Sequence, residues 1–167
     1  ELSVNECPGY LQKDINLLKS QTAASGSSEV TLKVIITVSP NRYAKYDYHE
    51  SQLSKATLLL AADKLVKQNP RVVSYSPAYE IMNDELRDYR FYKEDMLHPS
   101  EQAVEYIWER FRATYFGKAA EQFLEDWRPI REALGHKPFH PESEEHQKFI
   151  ARTEEKKRQF EEKYHLL

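Results

Sequence analysis

One stretch constrains this chain more than any other. Val30 to Val38 reads Val-Thr-Leu-Lys-Val-Ile-Ile-Thr-Val, dense in β-branched side chains and closed by Ser39-Pro40. Five of its last seven positions are apolar, the pattern of a strand buried on both faces, as in a parallel sheet. A polar, tyrosine-rich loop follows from Asn41 to Glu50. Ser51 to Gln68 then reads as a helix, with Leu53, Ala56, Leu60, Ala61 and Leu65 on one side. Asn69-Pro70 stops it, and Arg71 to Tyr75 begins a second short strand. Ser76-Pro77 bends that strand, and Ala78 to Met82 is expected to resume it. Helix between two apolar β-runs is the βαβ pattern, whose crossover is right-handed in nearly all cases. The class is therefore α/β, with about two parallel strands. Two strands alone make a poor sheet. So apolar a strand wants neighbours, either from outside these residues or by self-association through an unpaired edge.

The rest of the chain reads as helices. Tyr10, Leu11, Ile15 and Leu18 follow a Cys7-Pro8-Gly9 turn at loose helical spacing, and Ser20 to Ser28 is a small, polar loop. Asn83 to Pro99 is charged and aromatic with no period. Ser100 to Tyr115 carries Val104, Ile107, Trp108, Phe111 and Tyr115 at intervals of three and four, with Pro99 at its start. Ala120, Phe123, Leu124, Trp127 and Leu134 mark another helix, which Pro129 should kink or split. His136 to Pro141 is a connector. Glu142 to Tyr164 is a charged helix with a thin stripe of Phe149, Thr153, Phe160 and Tyr164 and an expected Glu154–Arg158 pair. The expected division is an α/β domain over 1–116 and, over 117–167, a helical extension packed on it.

Composition closes several routes. With 24 basic against 27 acidic residues, no positive field is available to grip a phosphate backbone, so nucleic acid is not an expected partner. Only four glycines are present, too few and too scattered for a phosphate-cradling loop. No apolar run is long enough for a membrane span. The lone Cys7 forms neither an internal disulfide nor a multi-cysteine zinc site. The 11 Tyr, 7 Phe and 2 Trp supply apolar area that a disordered chain lacks. The sequence starts at Glu1 with no signal-peptide pattern, so it reads as a fragment or processed chain. That leaves the compartment open, with the cytoplasm slightly favoured.

The chemistry concentrates at Asp95-Met96-Leu97-His98-Pro99. A carboxylate three residues before a histidine can accept from one ring nitrogen, fix the tautomer and leave the other nitrogen free as a base. A local hydrogen-bonded loop is the plainer reading of such a pair. Ser39-Pro40-Asn41-Arg42 follows the first strand at the expected sheet edge. There Arg42 could hold an anionic substrate group, and Ser39 or Asn41 could donate a hydrogen bond, against the bland reading of a solvated turn. Lys55 is expected to pair with a neighbouring carboxylate. Tyr89-Arg90-Phe91-Tyr92 could clamp a substrate, although half-buried packing is the commoner role. Trp108 and Trp127 are expected in the core. His136, His140, His146 and His165 lack metal-ligand spacing. A metal-dependent hydrolase using Asp47, His49, Asp95 and His98 has the least support, and no metal or cofactor is expected.

The segments Val34 to Pro40, His49 to Leu60 and Tyr79 to Ser100 resemble the bacterial GSCFA family, itself similar to the SGNH (GDSL-like) ester hydrolases. The resemblance runs from about Lys33 to Ile150 and is tightest between His49 and Ser100. It implies a flavodoxin-like three-layer fold, of which this chain holds the carboxyl-terminal part. It also implies hydrolysis of a small-molecule or glycan-linked acyl ester through a serine acyl-enzyme, with Asp95 and His98 as the Asp-x-x-His block of the triad. The Gly-Ser-Cys-Phe-Ala motif that names the family is absent. Gly26-Ser27-Ser28 precedes a strand, whereas a nucleophile of this fold belongs on the turn after one. The expectation is a chain that carries the base and its orienter while the serine lies elsewhere. The competing expectation is a non-catalytic protein-interaction module presenting the charged carboxyl-terminal helices.

Overall fold

The computed structural model describes residues 2–24, 32–43, 45, 47–139 and 142–166. The start of the expected first strand at Val30 and Thr31, the Ser25 to Ser28 part of the expected loop, and His140-Pro141 lie outside the described residues. The chain divides into two compact units, Glu1–Arg110 and Phe111–Leu167.

In the first unit, α1 (Glu6–Ala24) opens on a capping box. The Glu6 amide donates to Ser3 Oγ at 3.3 Å and the Ser3 amide donates back to the Glu6 carboxylate at 3.0 Å, so two otherwise orphaned donors satisfy each other. Pro8 lies within the first turn, where its missing N–H costs nothing. The helix also runs past Ser20, where a loop is expected. Ser20 Oγ and Thr22 Oγ1 return their hydroxyls to the Leu17 and Leu18 carbonyls, which keeps these polar residues compatible with helix. Of the four apolar residues expected to pack, only Ile15 is buried.

β1 (Val34–Thr37) and β2 (Val73–Ser76) pair in parallel, in register from Val34 with Val73 to Thr37 with Ser76. α2 (Tyr48–Gln68) is the crossover between them. This is the α/β unit the β-branched runs predict. Ile15, Leu65 and Val73 form its core, with Val34, Ile36, Val66 and Val72 packed around them. The expectation that β1 is buried on both faces fails, because Ile35 is 39% exposed while Val34 and Ile36 turn to the core. Successive strand residues point to opposite faces, and an unbroken apolar run looks the same whether one face or both are covered.

Asp47 caps α2, its Oδ1 accepting from the Glu50 amide at 2.8 Å. The buried stripe of α2 is Ser51, Lys55, Ala61, Ala62 and Leu65, which keeps Ala61 and Leu65 of the expected one and replaces the rest. Leu53 and Leu60 are exposed, because periodicity fixes a spacing and not which of two partly apolar stripes faces the sheet. Asn69 ends the helix and ties it to α1. Its side-chain amide donates to Gln12 Oε1 at 2.6 Å and its Oδ1 accepts from Lys19 Nζ at 3.0 Å.

Ala78 to Met82 does not resume the strand. The Ile81 amide bonds the Pro77 carbonyl at 2.9 Å, so Pro77, which has no N–H to lose, starts a helix. α3 (Ala78–Glu80) runs into a π-helical segment, Ile81–Leu86, which Arg87 closes in the left-handed region at φ 46°. A single 3₁₀ turn, Tyr89–Phe91, is capped by Asp88. Then α4 (Glu101–Tyr115) begins, with Ser100 Oγ accepting from the Ala103 amide at 3.3 Å. Met82, Phe91 and Ala103 form a second core cluster with Leu86, Tyr92 and Ile107. Ala103, not the expected Val104, is the buried contact, and Val104 is exposed.

The second unit holds α5 (Lys118–Gly135) and α6 (Glu144–Lys163). α5 is continuous through Pro129, and the adjacent Ile130 is buried. Phe123, Trp127, Phe160 and Tyr164 stack against one another with ring centroids 4.7–5.1 Å apart. Asp126 receives hydrogen bonds from Lys163 Nζ at 2.5 Å and Tyr164 Oη at 2.6 Å. These hold its carboxyl down at about 2. Phe160 and Thr153 of the expected stripe are buried, whereas Phe149 and Leu134 are exposed. Arg158 pairs with Glu155, one residue later than the expected Glu154.

Candidate active site

Between the 3₁₀ turn and α4, the backbone closes a short loop. Tyr92 and Pro99 form an antiparallel bridge, the Ser100 amide donates to the Phe91 carbonyl at 2.7 Å, and the Lys93 amide donates to the His98 carbonyl at 2.8 Å. Phe91 is buried at one foot of the loop and Pro99 at the other. Met96 sits at the tip with φ 60°, an uncommon conformation for a residue with a Cβ.

That turn brings Asp95 back over its own loop. Asp95 Oδ1 accepts from the Leu97 amide at 2.9 Å and the His98 amide at 3.0 Å, while Oδ2 lies 2.6 Å from His98 Nδ1. The two amides and the ring hold the Asp95 carboxyl well below its ordinary 3.8. A carboxylate only accepts, so Nδ1 carries a proton, and in the neutral ring the lone pair is on Nε2. The two side chains are 55% and 44% exposed for His98 and Asp95, and no serine hydroxyl among the described residues bonds the ring. The structure therefore brings together the two residues singled out for catalysis.

Arg42 is fastened to the same loop. Its amide donates to the Leu97 carbonyl at 2.9 Å and its Nη1 to the Met96 carbonyl at 3.2 Å. The guanidinium lies over the rings of Tyr48, Tyr92 and Tyr89, at 4.9, 5.5 and 6.0 Å. Burial pushes the Tyr92 phenol up, and Arg42 opposes that shift. Ser39 Oγ accepts from the Asn41 amide at 3.3 Å in an exposed turn, and no hydrogen bond links Ser39 or Asn41 to Asp95 or His98. Lys55 departs from expectation. It is buried, its Nζ donates to the Ser39 carbonyl at 2.6 Å, and among the described residues it meets no carboxylate. Burial pulls its ammonium down.

Beside Arg42 lies a cavity of about 270 Å³, lined among others by Gln52, Asn83, Arg87, Tyr89 and Tyr92. Gln52, Asn83 and Arg87 are far apart in sequence and carry no motif, which is why the sequence alone did not collect them. Tyr89 and Tyr92 do face a cavity, although Phe91 between them is core. Asp47 is spent on its helix cap, and among the described residues no three His, Cys, Asp or Glu side chains converge as a metal would need. His136 and His146 pack against Phe149, and Trp108 is half-buried.

A parallel β-α-β protein with a carboxylate-steered imidazole on the loop entering its next helix is the class these features define. The family is equally plain: the chain belongs to the GSCFA family, whose model matches residues 2–111. Residues 127–167 match a second model, described as the GSCFA domain protein C-terminal domain. Comparison with curated proteins and with solved structures finds no match.

Proposed function

We propose that these residues form part of a serine ester hydrolase, in which His98 is the general base and acid and Asp95 orients it. The observation that carries the reading is the 2.6 Å contact from Asp95 Oδ2 to His98 Nδ1, which leaves Nε2 as the free base. A serine Oγ, supplied by a segment beyond these residues, attacks the acyl carbonyl while its proton passes to Nε2. His98 then gives that proton to the departing alkoxide, and water repeats the cycle on the acyl-enzyme. The βα crossover supports a flavodoxin-like, SGNH-type three-layer fold completed by further strands. A small-molecule or glycan-linked acyl ester is the substrate class, and Ser39, Asn41 and Arg42 border the site.

The test joins these residues to the serine-bearing segment and follows p-nitrophenyl ester turnover. His98→Ala should reduce it by ~10²- to 10⁴-fold with the fold intact. Undiminished turnover in a folded variant refutes the role. A non-catalytic interaction module is the second reading, favoured by the exposed Ile35 face of β1. It predicts no turnover in either protein.

A further inference from the structure

The cavity beside Arg42 is unusual in what it leaves unspent. Arg42 uses Nη1 on the Met96 carbonyl, and the rest of its fork has no hydrogen-bond partner among the described residues. Neither Arg42 nor Arg87 has a carboxylate within ion-pair distance among the described residues. Asp88, also on the wall, accepts from the Arg90 amide through Oδ1, with Oδ2 3.9 Å from the Arg90 guanidinium. The Tyr89 and Tyr92 phenols also lack hydrogen-bond partners among the described residues. Gln52 accepts from Tyr79 Oη through its Oε1, which leaves its amide N–H groups open. The wall is thus rich in donors and holds two cationic forks with one carboxylate engaged elsewhere.

Arg87 supplies a second, independent observation. It ends the π-helical segment with its amide on the Met82 carbonyl at 3.2 Å and φ 46°. Glycine is the usual occupant of a left-handed helix terminus, because any Cβ is penalised there. A long cationic side chain at that position puts a guanidinium on the cavity wall at a conformational cost, and π-helical segments of this kind gather at functional sites.

We propose that this cavity binds an oxyanion, a carboxylate or a phosphate group, held by Arg42 and Arg87 with the Tyr89 and Tyr92 hydroxyls. Guanidinium forks match both groups in bidentate geometry. The volume lies just under the range of drug-sized sites, so it suits a charged head group rather than a whole ligand. Arg42 is bonded to the carbonyls of Met96 and Leu97, the two residues between Asp95 and His98, so the cavity is tied through Arg42 to the loop that carries the imidazole. Resting on the hydrolase reading, this makes the substrate an ester that also carries a negative charge. The binding itself does not depend on catalysis.

The experiment titrates the 167-residue chain with inorganic phosphate and, separately, with acetate. Ionic strength is held constant with chloride, and backbone amides are followed by ¹H–¹⁵N NMR. Saturable shifts at Arg42, Arg87, Tyr89 and Tyr92 are expected, and the tighter of the two anions identifies the group. Arg87→Gln should weaken binding about tenfold, the loss of one charge-assisted contact, and Arg42→Lys should weaken it also. Absence of saturation with both anions, or an Arg87→Gln variant that binds undiminished with an unchanged amide spectrum elsewhere, overturns the proposal. Because the readout is binding, failure of the hydrolase reading shows separately, as turnover indifferent to His98→Ala.

Discussion

Replacing Asp95 with asparagine tests the central geometry without dismantling the loop. Asp95 accepts three hydrogen bonds, two at Oδ1 from the Leu97 and His98 amides and one at Oδ2 from the imidazole. An asparagine carbonyl at the Oδ1 position keeps both amide bonds, at about their present 2.9 and 3.0 Å. Its NH₂, placed where Oδ2 was, can only donate. Nδ1 must then become an acceptor, and the proton of the neutral ring moves to Nε2, where the lone pair had been. The same exchange in a Ser-His-Asp triad lowers turnover by ~10⁴ with the geometry intact, and the proposed hydrolase reading expects a comparable loss of ester turnover. The assay needs no substrate: ¹⁵N-histidine ring spectra in alkaline solution, where imidazoles are neutral, distinguish the tautomers. The parent chain should show His98 protonated at Nδ1 and Asp95→Asn should show it protonated at Nε2. A parent ring protonated at Nε2, or one tautomer shared by both, refutes the reasoning.

Two more outcomes follow from the packing and the charges. Leu65 is fully buried between Ile15 and Val73, so Leu65→Ala should cost about 3–5 kcal/mol. That appears as a urea midpoint lower by roughly 2 M at an m of about 2 kcal/mol/M, and a shift below a quarter of this would contradict the core assignment. Asp126 has a folded value of about 2 against an ordinary 3.8, so its support for the α5–α6 pair is present above pH 3.8. It is lost as pH falls toward 2. Near-ultraviolet circular dichroism of the Tyr and Trp cluster should follow that loss, and Asp126→Asn should remove this part of the acid dependence.

What the sequence conveyed was set by distance along the chain. The β-branched density of Val34 to Thr37 and the Asn69-Pro70 stop made the β-α-β unit readable, because both are local. The Asp95–His98 contact was readable for the same reason: three residues in one turn can find each other without knowledge of the fold. Ala78 to Met82 misled because Ile and Met next to a strand look like more strand. The deciding fact was that Pro77 can accept from Ile81 and begin a helix. The stripes of α2 and α4 were right at Ala61, Leu65 and Ile107 and misled at Leu53, Leu60 and Val104, which have a core spacing but lie on another side. The cavity at Arg42 and Arg87 was illegible, since it is assembled from a turn after β1, a helix and a π-helical terminus that only the tertiary structure brings together.

The loop from Tyr92 to Pro99 shuts on itself through its own main chain. An imidazole held this way has its direction set by neighbours a few residues away, so its aim is a property of the loop and not of the sheet. On the hydrolase reading, a segment delivering a nucleophile would meet a partner already oriented.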